Sequence, residues 1–353
     1  MDSAQLVALV AALKGRRVAV IGDVVADEFV YGRVARVSRE APVLILEYDS
    51  TEVVPGAGGN AANNAATLGA DVTLASLVGT DDPTRRLLAA LHARVDRRFV
   101  VRARGASTPV KTRILAGGVH SAKQQVVRID RGVGAAIDAN GRAVFERQAL
   151  RACVRADAVL VSDYGSGLVT PRLVNALRTE LRRTGRGTPI LVDTRHGLLH
   201  YTGLTACTPN ESEVEQALGI RINDDVRVLE RAGRTVLERT RNRAVLITRG
   251  SRGMALFQRG VPTLHIPIFG SDEIADVTGA GDTVMATMTL ALAAGASFEL
   301  AARLANYAGG LVVMKRGTAT VSVRELRDAV RSDAARGGGT PTSRRPRSRG
   351  TSG

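Results

Sequence analysis

Short apolar runs separated by helix-length segments constrain this chain more than any other feature. Residues 18–21, 72–78, 159–161, 190–192 and 245–248 read as strands. Helical patterns fill much of the space between them, at 60–68, 171–183 and 225–238. Strands alternating with helices predict a mainly parallel central sheet inside three layers, α/β/α. Ligands of such sheets bind beyond the carboxyl ends of the strands. Asp23, Asp163, Asp193 and Arg249 fall at those ends. Two stretches break the alternation. Residues 42–54 and 110–130 hold strand-like pieces with no helix between them, which predicts antiparallel ribbons projecting from the main sheet. Such a small β-ribbon lid has open edges that can pair with a second copy of the chain.

The segment Asp276-Val277-Thr278-Gly279-Ala280-Gly281-Asp282 runs directly into an apolar helical stretch at 283–294. The first backbone N–H groups of a helix lack internal partners and carry partial positive charge, so they make an anion site. Gly279, Ala280 and Gly281 let that backbone approach a phosphate closely. Asp282 then stands beside the anion, where a carboxylate can take a proton from an attacking hydroxyl. The competing explanation is a plain N-cap after a glycine-rich turn.

Other constellations are individually ambiguous. Gly58-Gly59-Asn60 is a second small-residue turn entering a helix, suited to close approach of a polyol or simply to tight packing. Asn210 and Glu213 lie three apart at a helix start; they fit water-mediated Mg²⁺ binding or a capping box. Lys111 and Arg113 share one face of a strand, and with Arg128 they suit a substrate that already carries a phosphate. Facing outward, they would be ordinary edge-strand protection. His196 and His200 have no acidic companion that would suggest zinc, and no G-x-x-x-x-G-K-[ST] is present.

The net charge of +15 makes nucleic acid a legitimate hypothesis. The arginines are scattered rather than stacked in a stripe, aromatics are 3% and Trp is absent, so stacking platforms are scarce. Anionic metabolites are the favoured partners, and nucleic acid is not expected. No run is long enough to span a bilayer, and the basic cluster at Lys14, Arg16 and Arg17 follows the first apolar stretch, the reverse of a signal peptide. Cys153 and Cys207 lie far apart without metal-ligand spacing. A cytoplasmic protein is expected, with residues 1–333 as one domain (lid strands about 28–54 and 108–130) and 334–353 as a disordered basic tail.

Together these residues resemble the ribokinase-like (PfkB) carbohydrate kinases from about residue 16 to 330. The likeness rests on the Gly-Gly-Asn turn, the Asn-x-x-Glu segment and Asp-x-Thr-Gly-Ala-Gly-Asp in that order. Within the family it is nearest the heptose 7-phosphate kinases, through Gly22-Asp23-Val24-Val25-Ala26-Asp27, Ser38 to Val43, Lys111-Thr112-Arg113, Gln124 to Asp130 and Ser162-Asp163-Tyr164. The resemblance implies a ribokinase-like fold and ATP-dependent phosphorylation of the anomeric hydroxyl of D-glycero-D-manno-heptose 7-phosphate. By the family's pattern Asp282 is the base, and Gly279, Ala280 and Gly281 form the anion hole. Asp27, Gly58, Gly59 and Asn60 hold the sugar, with Lys111, Arg113, Arg128 and Arg195 toward its phosphate. Asn210 and Glu213 belong to the magnesium–phosphate shell. Thr248, Arg249, Gly250 and Asn306 lie on the nucleotide side. Asp276 and Thr278 resemble half of a monovalent-cation (K⁺) site completed by carbonyls at 313–318. A homodimer through the lid is implied as well.

The chain departs from the heptose kinases where substrate phosphate is expected. Gly165-Ser166-Gly167 replaces a segment that usually carries Lys, and Asp193-Thr194-Arg195 replaces Asp-Pro-Lys. Arg195 keeps the charge with a different geometry. The connection between Arg113 and Gln124 is longer. A related kinase for another sugar or nucleoside (phosphofructokinase, ribokinase or adenosine kinase type) and a non-catalytic sensor of the same fold are the alternatives. Bifunctional relatives carry an adenylyltransferase after the kinase, and the basic tail is not expected to supply it.

Overall fold

The computed structural model describes residues 3–117, 123–132, 137–270, 276–315 and 317–335. The chain opens with α1 (Ser3–Ala12) and β1 (Arg17–Gly22), then leaves the body as a hairpin, β2 (Val24–Val37) and β3 (Leu44–Ala57). It returns through α2 (Gly58–Thr67), β4 (Asp71–Val78), α3 (Asp82–Ala89) and β5 (Val95–Arg102). A second excursion, β6 (Val110–Gly117) and β7 (Gln124–Arg131), precedes α4 (Ala139–Cys153), β8 (Ala158–Asp163), α5 (Pro171–Arg183) and β9 (Ile190–Thr194). Then come β10 (Ala206–Cys207), α6 (Glu211–Leu218), α7 (Val226–Thr240), β11 (Ala244–Thr248), β12 (Met254–Gln258) and β13 (Leu264–Ile266). Three helices finish the described chain: α8 (Ala280–Ala293), α9 (Phe298–Val313) and α10 (Val323–Ala335). The expected basic tail lies outside the described residues, except for its first two positions.

Among the described residues the main sheet has nine strands in the order β13-β12-β11-β10-β9-β8-β1-β4-β5. It is parallel from β11 to β5, with β12 and β13 added antiparallel at one edge. Alternate residues of each central strand feed opposite cores. In β1, Val18 and Val20 pack into the layer built with α1, α2, α8, α9 and α10, while Ala19 and Ile21 pack into the layer of α4, α5 and α7. These strands are covered on both faces, which is why they read as continuous apolar runs. From β1 the chain builds outward through β4 and β5, and later in the other direction from β8. The strand order therefore reverses between β1 and β8, and such a switch point opens a crevice at the strand ends. Gly22 ends β1 there with φ 146°, and a Cβ on it would lie 1.9 Å from the Ser162 carbonyl oxygen of β8. Only glycine fits that approach.

The lid is a separate four-stranded sheet, β3-β2-β6-β7. Each hairpin is antiparallel, as expected for a ribbon. The two hairpins are joined through a parallel β2–β6 pair, so the lid is one mixed sheet and not two independent ribbons. A parallel pair needs a long crossover, and the excursion through the body from α2 to β5 supplies it. The lid carries exposed Val34, Val37, Leu44, Val126, Val127 and Ile129.

Candidate active site

The N-terminus of α8 enters the switch-point crevice. Gly279 caps it in the left-handed conformation, φ 77°, and a Cβ there would lie 2.5 Å from the Asn60 side-chain nitrogen. Asp282, in the first turn, is 5% exposed. Asn60 Nδ2 donates to Asp282 Oδ2 at 2.9 Å, and the Tyr164 hydroxyl donates to Oδ1 at 3.0 Å. Asn60 is itself fixed: its Oδ1 accepts from Asn64 Nδ2 (2.9 Å), and Asn64 Oδ1 accepts from Thr283 Oγ1 (3.1 Å). This relay ties α2 to α8. Burial pushes the Asp282 carboxyl up to about 6, against the two hydrogen bonds that hold it down; the Asp27 charge adds to the rise. A carboxylate tuned toward neutrality is what a general base at cellular pH requires.

The opposite wall is basic. Lys111 Nζ lies 5.1 Å and the Arg195 guanidinium 4.4 Å from the centroid of the Tyr164 ring. Burial, then the charge of Arg195, lowers the Lys111 pKa. Arg113 is committed elsewhere: its Nη1 pairs with Asp27 Oδ1 at 2.6 Å, with both side chains nearly enclosed. Arg128 stands opposite Arg113 in the β6–β7 register, is exposed, and pairs with Asp130 at 2.6 Å. The loop after β8 is clasped by Asp23, which accepts from the Tyr164 backbone N–H (2.7 Å) and from Ser166 Oγ. Asp163 accepts from Thr194 Oγ1 (2.9 Å) and the Tyr201 hydroxyl (2.7 Å).

The third side is formed by the start of α6. Asn210 and Glu213 form a full capping box, with Glu213 N–H donating to Asn210 Oδ1 and Asn210 N–H to Glu213 Oε2, both at 2.9 Å. Both residues nevertheless face the cleft. Burial raises the Glu213 carboxyl, and burial followed by the Glu213 charge raises Asp193 well above the usual carboxylate range. Thr248 ends β11 at the same wall and bridges to Asn210.

These walls enclose a cleft of about 510 Å³. It collects Asp27, Lys111, Arg113, Arg195, Asn210, Glu213, Thr248, Thr278, Gly279, Gly281 and Asp282 from the residues singled out in the sequence. The others stand outside its lining. Gly58 and Gly59 are buried at the head of α2, and Asn60 reaches the site through Asp282 and the Gly279 carbonyl (3.3 Å). The Ala280 N–H donates to the Val277 carbonyl (3.2 Å) and the Thr283 N–H to the Gly279 carbonyl (3.1 Å), which leaves the Gly281 and Asp282 amides for an anion. Arg249 is paired with Glu211 at 2.7 Å and Gly250 begins the turn behind it. Asn306 Nδ2 donates to the Pro267 carbonyl at 2.9 Å. Asp276 accepts backbone N–H bonds from Thr278 (2.8 Å) and Gly317 (3.1 Å), and its own N–H meets the Val313 carbonyl. Tyr164 and Asp193 also line the cleft; in the sequence Tyr164 stands only within a motif, and Asp193 is one of several polar residues at strand ends. Their position at the carboxyl ends of β8 and β9 was the available signal.

A family model described as "pfkB family carbohydrate kinase" matches residues 15–325. The chain is 40% identical over 309 residues to "Bifunctional protein HldE" of Geobacter sulfurreducens, covering 87% of this chain and 61% of that protein. The protein of the same name from Geobacter metallireducens is 42% identical over 313 residues, with 87% and 61% covered. That of Caulobacter vibrioides is 40% identical over 333 residues, with 92% and 65% covered. The chain thus spans less than two thirds of the length of these relatives. Among solved structures, Arabidopsis thaliana ribokinase complexed with ribose and ATP aligns with a TM-score of 0.66 at 18% identity, covering 90% of this chain and 98% of that one. Phosphofructokinase-2 from Escherichia coli in complex with potassium gives 0.70 at 17% identity, covering 91% and 99%. At such identities the likeness speaks for the fold.

Proposed function

The chain belongs to the pfkB family of carbohydrate kinases, and from that premise we propose that it phosphorylates the anomeric hydroxyl of D-glycero-D-manno-heptose 7-phosphate with ATP, giving a 1,7-bisphosphate for nucleotide-activated heptose synthesis. One observation carries the reading: a buried carboxylate at a helix N-terminus faces, across one cleft, two cations free of any carboxylate partner among the described residues, Lys111 and Arg195. An acceptor already bearing a phosphate gives that second cationic wall a ligand of its own. The identity to the HldE proteins supports the same branch of the family.

In this reading Asp282 takes the proton of the attacking hydroxyl while the first-turn amides of α8 hold the transferring phosphoryl oxygens. The Arg113–Asp27 pair positions the sugar, and Lys111 and Arg195 hold its phosphate. Arg128 guards the rim, where its release from Asp130 would add a further contact. ATP lies along the Thr248 wall, with Arg249, Gly250 and Asn306 shaping the nucleotide side from behind. Asn210 and Glu213, through water, would hold Mg²⁺. Their wall includes Asp193, whose carboxyl is raised by burial and then by the Glu213 charge, while burial raises Glu213; a divalent cation would add counter-charge there. When bound, the ion supplies neutralisation of charge on the phosphoryl oxygens. The Asp276–Thr278 turn, drawn against the Val313 carbonyl, is the candidate K⁺ position; no ion pair reaches Asp276 among the described residues.

The exposed apolar residues of the lid support a homodimer formed through that sheet. No helix among the described residues is long and apolar enough to cross a membrane, in keeping with a cytoplasmic enzyme. Residues 1–333 are proposed as the kinase domain.

The test is ADP release with Mg²⁺, K⁺ and ATP against D-glycero-D-manno-heptose 7-phosphate, sedoheptulose 7-phosphate, fructose 6-phosphate, ribose and adenosine. Turnover confined to the heptose phosphate is the expected result. Turnover on another sugar phosphate would keep the base and the cationic wall and discard the heptose. Preference for ribose or adenosine would remove the phosphate-binding role of Lys111 and Arg195.

A further inference from the structure

Tyr164 touches both halves of the cleft. Its hydroxyl donates to Asp282 Oδ1 at 3.0 Å. Its ring lies within 5.1 Å of Lys111 Nζ and 4.4 Å of the Arg195 guanidinium. Its backbone is fixed as firmly: the Tyr164 N–H donates to Asp23 Oδ2 at 2.7 Å, and the Arg195 N–H donates to the Asp163 carbonyl at 3.1 Å. Burial, followed by the nearby Asp282 charge, raises the phenol pKa well above its usual value, so it stays protonated and can only donate to the carboxylate.

We propose that Tyr164 is a positioning residue that sets the register between the substrate's own phosphate and its reacting hydroxyl, the ring carrying the two phosphate-binding cations and the hydroxyl orienting the base. The inference rests on the phosphorylated-acceptor reading above and deepens it. A rigid aromatic ring has few rotamers, so the cations and the base cannot drift independently. A cation over a π face is held without using its hydrogen-bond donors. Lys111 and Arg195 therefore keep those donors for a ligand. One rigid side chain then joins specificity to chemistry, and each half can be removed separately.

The titratable and charged groups that line the cleft with Asp282 are Asp27 on β2, Lys111 and Arg113 on β6, Asp193 at the end of β9, Arg195 and His196 just beyond it, and Glu213 on α6. Substituting Tyr164 by Phe leaves all of them in place. It removes one hydrogen bond to the ionised form of Asp282, so the Asp282 pKa must rise. Tyr164→Leu removes that bond and the cation platform together.

The experiment measures kcat and KM from pH 5 to 9 for the full-length chain and both variants, with ATP, Mg²⁺ and the sugar phosphate turned over by the wild type. For Tyr164→Phe the acid limb of kcat is expected to move up by about one pH unit, with KM for the sugar phosphate changed by less than about twofold. For Tyr164→Leu the same limb shift is expected together with a KM raised about tenfold or more. An unmoved acid limb in Tyr164→Phe, or equal KM losses in both variants, would overturn the proposal. A parallel ¹³C-NMR titration of the Asp282 carboxyl, assigned by difference from Asp282→Asn, needs no sugar. A shifted titration without turnover on the heptose phosphate keeps Tyr164's role and removes the heptose. Turnover with an unshifted titration does the reverse.

Discussion

Asp282 pays in stability for the burial that fits it to the proposed role of base. Its carboxyl titrates near 6 in the fold against 3.8 for the free side chain. A raised carboxylate binds its proton more tightly in the folded state. Folding is therefore favoured by this group below pH 3.8, and that contribution is lost as pH rises through 6, on the order of 3 kcal/mol in all. Asp282→Asn is expected to lose kcat by about 10²- to 10⁴-fold while melting at or above the wild-type temperature at pH 8. The gap in melting temperature should close near pH 4; thermal denaturation at the two pH values checks this. For the wild type, kcat/KM is expected to fall as pH drops through about 6, because the base must be ionised. The heptapeptide made Asp282 legible in the sequence, since a small-residue loop and an acid at a helix start are contiguous. Tyr164 was not legible as more than part of a motif. The groups that define it come from β6, α8 and the turn after β9, and no local pattern joins them.

At the scale of elements, local rules and site rules coincide at α6. Asn210 and Glu213 satisfy each other as a capping box, which is what their spacing alone favours, and the box also aims them at the cleft. In the lid, β2 and β6 are clamped by the buried Arg113–Asp27 pair at 2.6 Å. Arg113→Ala leaves a buried carboxylate without its partner, a change that costs about 3–5 kcal/mol. Urea denaturation should register that loss, and the Asp27→Asn/Arg113→Ala double variant should recover part of it. If the single variant is as stable as wild type, the pair is not holding the lid. The lid's outer residues belong to the same element. Ile129→Lys and Val126→Lys together are expected to shift a dimer to monomer in light scattering, with the catalytic cleft unaffected. Strand existence was legible here, but the parallel junction between the hairpins was not. Periodicity reports which face is buried and carries no information about the partner strand.

For the whole molecule, alternation of strand and helix is enough to place the sheet, its two covering layers and the end at which the cleft opens. The extension of the sheet through β12 and β13 is not legible in the sequence, because a short antiparallel edge strand leaves little pattern. The net charge of +15 is a property of the whole sequence and says little about the site. The cleft lies where the two cores and the lid converge, so filling it should stiffen the entire chain. With ATP and Mg²⁺ at about a hundred times their Kd, stabilisation of about 2.7 kcal/mol is expected, read as a rise in melting temperature. EDTA should abolish both that rise and turnover while returning the melting temperature to that of the ligand-free chain.

The parallel β2–β6 junction also dictates an order of events during synthesis. β2 and β3 leave the ribosome early, but the strand that completes their sheet follows only after β3, α2, β4, α3 and β5 have been made. Bringing distant strands together requires closing that long loop first, which makes such pairings slow. The early hairpin therefore waits with an unpaired edge and exposed valines while the body forms beneath it. That interval is when the nascent chain is most open to pairing with its neighbours and most in need of a chaperone's cover.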